Sequence, residues 1–180
     1  MNLHTKKSDV RALAVSALVV ALSVILSQIV LFRMPQGGDI TLFSMLPIVL
    51  CTYMYGTKRG ILTGVCVGIV CLIFNPYVIH PVQLVMDYPL AYGALALGGF
   101  VMKGKYAMLK GYIVGVGCRY ICAVISGIVF FGAYAPEGFN TILWSIVYNG
   151  AYLGVEAALT CVILCLPSVR KLFARLKAEQ

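Results

Sequence analysis

The sequence predicts an all-α membrane protein of six transmembrane helices, with both termini in the cytoplasm. Three observations predict it. Hydrophobic residues make up 61% of the 180 residues and charged residues only 11%, where a soluble domain carries about a quarter charged residues. The apolar residues fall into six runs, near 11–32, 42–56, 60–75, 82–102, 108–133 and 141–166, and a span needs about 20 such residues, fewer when it is partly buried in protein. The basic residues sit in alternate connections between those runs.

The first run follows a basic N-terminus holding Lys6, Lys7 and Arg11. It is too long for a typical signal-peptide core and lacks an obvious cleavage site, so it reads as a retained helix. Ala17 and Ala21 form a small-residue stripe on it. Such a stripe permits close helix contact in lipid, either within the chain or with a partner. The first external connection, 33–41, reads RMPQGGDIT, with Pro35, Gly37 and Gly38 forcing turns. The second and third runs are short and are separated by Gly56-Thr57-Lys58-Arg59. Gly60, Gly64 and Gly68 repeat every four residues, as do Gly150 and Gly154 in the sixth run, and both sets read as packing surfaces. The remaining external connections, NPYVIHP at 75–81 and YAPEGFN at 134–140, are irregular. A ligand site is therefore expected on that face. The basic tail at 167–180 carries apolar Val169, Leu172, Phe173 and Leu176 and reads as a surface segment on the cytoplasmic side.

Orientation follows from counting. The N-terminus, the 57–59 turn, the 103–110 connection and the tail hold twelve of the fourteen lysines and arginines. Basic residues stay on the cytoplasmic side, which places these segments inside the cell. The net charge of +8 is thus explained by topology, and nucleic-acid binding is excluded. The seven cysteines all fall in apolar runs without a C-x-x-C and read as packing residues. No hydrolase triad, nucleophile elbow, phosphate loop or metal cluster is present, so the chain reads as neither an enzyme nor an ATPase and implies no cofactor or metal.

Asp87, Arg119 and Glu156 lie inside spans. Each costs several kcal/mol if it faces lipid, so each should face the interior or a cavity. Either they form a buried ion pair, Arg119 with Asp87 or Glu156, or they mark a polar ligand site. Tyr77, Tyr88, Tyr92, Phe130, Phe131, Tyr134, Phe139, Trp144, Tyr148 and Tyr152 gather on the outer half. About half of them suit an interfacial belt; the rest could stack on a flat or cationic ring. Asn149 adds an amide that can donate and accept, and Gln83 is within reach of the outer face. A carboxylate, an amide and aromatics suit a cationic heteroaromatic ligand.

The segments FRMPQGGDITLFSMLPI at 32–48, YVIHPVQLVMDYPLAYGALALGG at 77–99, and RYICAVISGIVFFGAYAPEG with YNGAYLGVE across 119–156 resemble the ThiT (YuaJ) thiamin-binding subunits of energy-coupling-factor transporters. With helix one, the resemblance covers nearly the whole chain. It implies the six-helix fold of such substrate-binding subunits, with an outward-facing thiamin pocket and the 33–41 connection as its lid. It implies a transmembrane coupling protein and two ATPases as partners, with the first contacting Ala17 and Ala21, and a location in the plasma membrane. Residue by residue, it assigns the acidic residue and following tyrosine of helix four to Asp87 and Tyr88, and the basic residue of helix five to Arg119. The ring that stacks on the pyrimidine falls on Phe131, and the aromatic and amide of helix six on Trp144 and Asn149. Tyr77, Gln83 and Gly38 complete the candidate set. Two positions depart from the family pattern: Ala123 stands where a histidine is often found, and Trp144 where a tyrosine is expected. The alternative ligand is another vitamin or a precursor such as hydroxymethylpyrimidine. The alternative class is a membrane scaffold or intramembrane enzyme.

Overall fold

A computed structural model describes residues 3–35 and 37–179. Gln36 of the MPQGG segment lies outside the described residues, as do the side chains of His4, Lys6 and Lys7. The order is α1 (Leu3–Gln28), β1 (Val30–Arg33), β2 (Asp39–Thr41), α2 (Leu46–Tyr55), α3 (Thr57–Phe74), α4 (Pro81–Val101), α5 (Ala107–Phe130), α6 (Thr141–Cys165) and α7 (Pro167–Ala178). Five helices, α1 and α3 to α6, are long and apolar enough to cross a membrane.

The second expected span is corrected. Its helix, α2, has ten residues, about 15 Å at 1.5 Å per residue, half of the hydrocarbon thickness. Pro47, Ile48, Val49, Cys51 and Thr52 are buried in it. The preceding residues, 42–45, form a turn in which Phe43 adopts φ 58°, a conformation that a bulky residue holds only when its surroundings enforce it. Hydropathy extends the run through this turn, but the backbone does not.

The first span is also shortened. α1 stops at Gln28, and residues 30–32, expected as its end, form with Arg33 a strand that pairs with 39–41 as an antiparallel hairpin. The register sets Val30 against Thr41 and Arg33 against Asp39, with a bulge between Val30 and Phe32. An Arg33 Nε–Asp39 Oδ1 ion pair of 3.1 Å clamps the strands where they enter the turn, and Gly37 turns the tip at φ 85°.

α4 is irregular for a local reason. Pro89 has no N–H to give to the ladder, and the turn at Met86–Leu90 widens to a π-helical one. Asp87 and Tyr88 sit in that widened turn. The glycines of α3 let α4 approach: a Cβ at Gly64 would strike the Tyr92 carbonyl, and one at Gly68 the Tyr88 carbonyl. The α6 pair does not behave this way. Gly154 has open space where a Cβ would lie, and Gly150 meets only the Tyr120 ring, at 3.7 Å. The close α5–α6 contact is made by Gly127 instead, against Ser145 and Asn149.

α7 lays Val169 and Phe173 against the bundle core, sets Arg170 and Lys177 over the Tyr106 and Tyr53 rings, and leaves Lys171 and Arg175 exposed. Ala17 and Ala21 are both exposed, on the side of α1 opposite its buried Ala12, Val19 and Ser23.

Candidate ligand-binding site

The end of the bundle that carries the hairpin encloses a cavity of about 210 Å³. Three helices, α4, α5 and α6, contribute most of its wall. On α5 the face reads Arg119, Ala123, Ser126 and Gly127, ending in Phe131; on α6 it reads Ser145, Asn149, Tyr152 and Glu156. These spacings of three and four residues bring side chains to one side of a helix. α4 supplies Gln83, Asp87, Tyr88, Ala91 and Tyr92, and the hairpin roofs the cavity with Gly37, Gly38, Asp39 and Thr41.

All nine residues singled out from sequence, Asp87, Tyr88, Arg119, Phe131, Trp144, Asn149, Tyr77, Gln83 and Gly38, line this one cavity. Their environments divide them. Gln83 is buried; its Nε2 donates to Asp87 Oδ2 at 2.6 Å and to the Tyr77 carbonyl at 3.1 Å, and its Oε1 accepts from Ile79 N. The Tyr88 hydroxyl accepts from Tyr77 N and donates to the Asn75 carbonyl, both at 2.9 Å. Gln83 and Tyr88 therefore fix the 75–79 connection that carries Tyr77. The Tyr77 hydroxyl is held above its ordinary pKa, first by its hydrogen bond with Tyr134 and then by desolvation, so it stays neutral. The Tyr77 ring lies nearly parallel to Phe131, at 16° and 5.9 Å between centroids.

Asp87 keeps spare acceptor capacity, since a carboxylate can accept about four hydrogen bonds and Gln83 is its hydrogen-bond donor among the described residues. Ser126 lies beside it without closing a bond. Arg119 stacks its guanidinium 4.0 Å above the Tyr92 ring, and its Nη1 is buried with no hydrogen-bond partner. Asn149 is committed within α6: Nδ2 donates to Ser145 and Oδ1 accepts from Tyr152, which leaves one lone pair on the amide oxygen. Trp144, Tyr148 and Tyr152 form a ladder at 5.8 and 6.0 Å.

The buried ion pair that was the alternative for the three intraspan charges is absent. Among the described residues, ion pairs within 4 Å join Arg33 to Asp39 and Arg59 to Asp9. Glu156 instead receives four hydrogen bonds from the strand β2 and the turn after it. Thr41 N and Oγ1 reach one carboxylate oxygen at 3.2 and 2.6 Å, and Ser44 Oγ and Met45 N reach the other at 3.1 and 3.4 Å. This carboxylate satisfies non-helical backbone that lipid could not. It explains how Phe43 is held in its strained conformation.

The sequence offers Glu156 as one of three charges that could mark a ligand site, and Tyr148 and Tyr152 among the aromatics of the outer half, but none of them in the residue-by-residue set, and it does not single out Ser126 and Ser145. The available signal was the polar period 145, 149, 152, 156 along an otherwise apolar helix. Gly38 also has a sharper role than turn formation. A Cβ there would lie 2.7 Å from Tyr152 Cδ1, and its N–H donates to the Tyr148 hydroxyl at 3.0 Å. The hairpin thus rests on the α6 ladder through a residue without a side chain. Ala123 leaves the cavity wall apolar at the position where the family resemblance implies a histidine.

Comparison with known proteins agrees with this architecture. Residues 13–174 match the model of a thiamine transporter protein family, Thia_YuaJ. The chain is 34% identical to the thiamine transporter ThiT of Bacillus subtilis over 180 residues, covering 91% of this chain and 93% of that one. It is 27% identical to ThiT of Lacticaseibacillus paracasei over 139 residues, 68% of this chain and 69% of that one. A solved structure of ThiT from Listeria monocytogenes superposes with a TM-score of 0.74 at 26% identity, covering 92% of this chain and 98% of that one. With a family model spanning nearly the whole bundle, the chain belongs to the YuaJ family of thiamine transporter proteins.

Proposed function

We infer that this chain captures thiamin from outside the cell in the cavity beneath the hairpin. One observation carries the reading: a half-buried carboxylate, Asp87, and a buried guanidinium, Arg119, share an aromatic-lined cavity without pairing to each other. Groups so costly to desolvate are retained where a ligand completes them. Thiamin supplies the complement. Its thiazolium is a cation for Asp87, its aminopyrimidine is a flat ring for Phe131 and Tyr77, and its hydroxyethyl oxygen is an acceptor for the open Arg119 N–H. Trp144 and the Tyr148–Tyr152 ladder flank the ligand, and the remaining Asn149 lone pair accepts from an amine. Gln83 and Tyr88 position the others.

The chain is a transport subunit and carries no motif for ATP hydrolysis. We assign it to the plasma membrane and to an energy-coupling-factor assembly, in which a transmembrane coupling protein and two ATPases supply the work. Support for that assembly is the exposed Ala17 and Ala21 pair, a small-residue patch that no described residue covers.

Fluorescence titration of the purified chain with thiamin, its phosphates and hydroxymethylpyrimidine tests the reading. Saturable binding strongest for thiamin is the expected result. Binding of the pyrimidine alone with equal strength would make the thiazolium irrelevant and overturn the role given to Asp87.

A further inference from the structure

A second cavity, of about 400 Å³, lies at the opposite end of the bundle, between the 104–109 segment and α7. We propose that it seats the headgroup of an anionic phospholipid of the inner leaflet. The cavity is two-faced. Leu164, Met108 and Phe173 give it an apolar floor, with the first two buried. Lys105, Arg170 and Lys171 stand on its rim.

The rim is organised as well as charged. The Arg170 guanidinium lies 4.3 Å above the Tyr106 ring, and its Nη2 donates to the Lys105 carbonyl at 3.1 Å. That pins the fork while leaving other N–H groups for an anion, the geometry in which arginine binds phosphate best. Lys105 Nζ sits 5.6 Å from the same ring. Local counter-charge is scarce. On this side of the bundle the carboxylates are Asp9 and Glu179, against twelve lysines and arginines, and Asp9 is already held by Arg59. A basic pocket between helices on the cytoplasmic side is the arrangement that selects acidic headgroups. The apolar floor separates a lipid from free phosphate, because only a lipid brings a glycerol and acyl end to cover it.

Native mass spectrometry of the purified chain tests this, after equilibration with equimolar phosphatidylglycerol and phosphatidylcholine of matched acyl chains. Phosphatidylglycerol should be retained about fivefold over phosphatidylcholine. The preference should fall toward parity in Lys105→Gln/Lys171→Gln, whose targets are exposed, with far-UV dichroism and elution volume as fold controls. Lys171→Glu alone supplies the same reading should the double variant misfold. Millimolar inorganic phosphate should not displace the lipid. Equal retention of both lipids, or a preference that survives the substitutions, would overturn the proposal. Displacement by phosphate alone would make it a free-anion site. An unchanged lipid preference combined with lost co-purification of partner subunits would make the rim a protein contact.

Discussion

On the proposed reading Asp87, which lines the cavity, carries the charge recognition, and its substitution isolates charge from shape. Asp87→Asn is nearly isosteric and keeps a partner for Gln83, so the fold should persist. Loss of the charge-assisted contact to thiazolium should weaken thiamin binding at least tenfold, about 1.4 kcal/mol, measured by calorimetry. Trp144 is the single tryptophan and lines the cavity, so thiamin should quench the protein's indole emission. The response should vanish in Trp144→Phe, and an equal response there would remove Trp144 from the ligand's surroundings. Glu156 behaves differently from both. In Glu156→Gln one oxygen becomes an amide donor facing either Thr41 N or Met45 N, and neither can turn to accept. One buried N–H is then orphaned, at a cost of roughly 1–3 kcal/mol. Thermal unfolding at lower temperature, with faster thiamin release, is the expected outcome. The sequence marked all three intraspan charges because lipid cannot tolerate them. It could not show that Glu156 serves the hairpin, since its partners lie 111 to 115 residues away along the chain.

At the scale of elements, what could be read followed from periodicity, and what could not followed from its limits. The long helices announced themselves by hydropathy. The hairpin did not: Val30-Leu31-Phe32-Arg33 is as apolar at its start as the helix before it, and a short apolar run is compatible with either structure. The half-length of α2 was hidden for the same reason, because nothing in Leu42-Phe43-Ser44-Met45 reveals that Glu156 will organise it as a turn. The widened turn of α4 was legible in principle from Pro89, which forbids a regular ladder there. The hairpin as a lid makes a steric prediction. In Gly38→Ala the new methyl must displace the Tyr152 ring or lift the hairpin, because 2.7 Å is far inside carbon contact. Thiamin release followed by stopped-flow should accelerate several-fold. Gly138→Ala is the control. Gly138 has φ 82° and open space around it, so alanine there costs about 1 kcal/mol of backbone strain and should leave release unchanged. Equal rates in Gly38→Ala and the parent chain would mean that the hairpin does not govern exit.

For the whole molecule, the all-helical membrane class was the most legible feature, since it is a sum over the chain and tolerates local error. Assembly is where that reading left two possibilities, and the structure separates them. A small-residue pair on α1 could pack inside the bundle or outside it. Ala17 and Ala21 are exposed, next to Leu13 and Leu18, whose exposures are 70% and 68%. Their substitution by tryptophan therefore adds bulk where the chain itself has none to displace, and the overpacking cost of a core site does not apply. Ala17→Trp/Ala21→Trp should fold and bind thiamin with unchanged affinity. If the patch is the contact for a coupling protein, the same bulk keeps two helix backbones from approaching, and close approach is what holds helices together in lipid. Co-purification with the ATPase module and thiamin uptake should then both fail. Uptake that persists alongside retained co-purification would assign this face of α1 to lipid and send the search for the coupling surface elsewhere on the bundle.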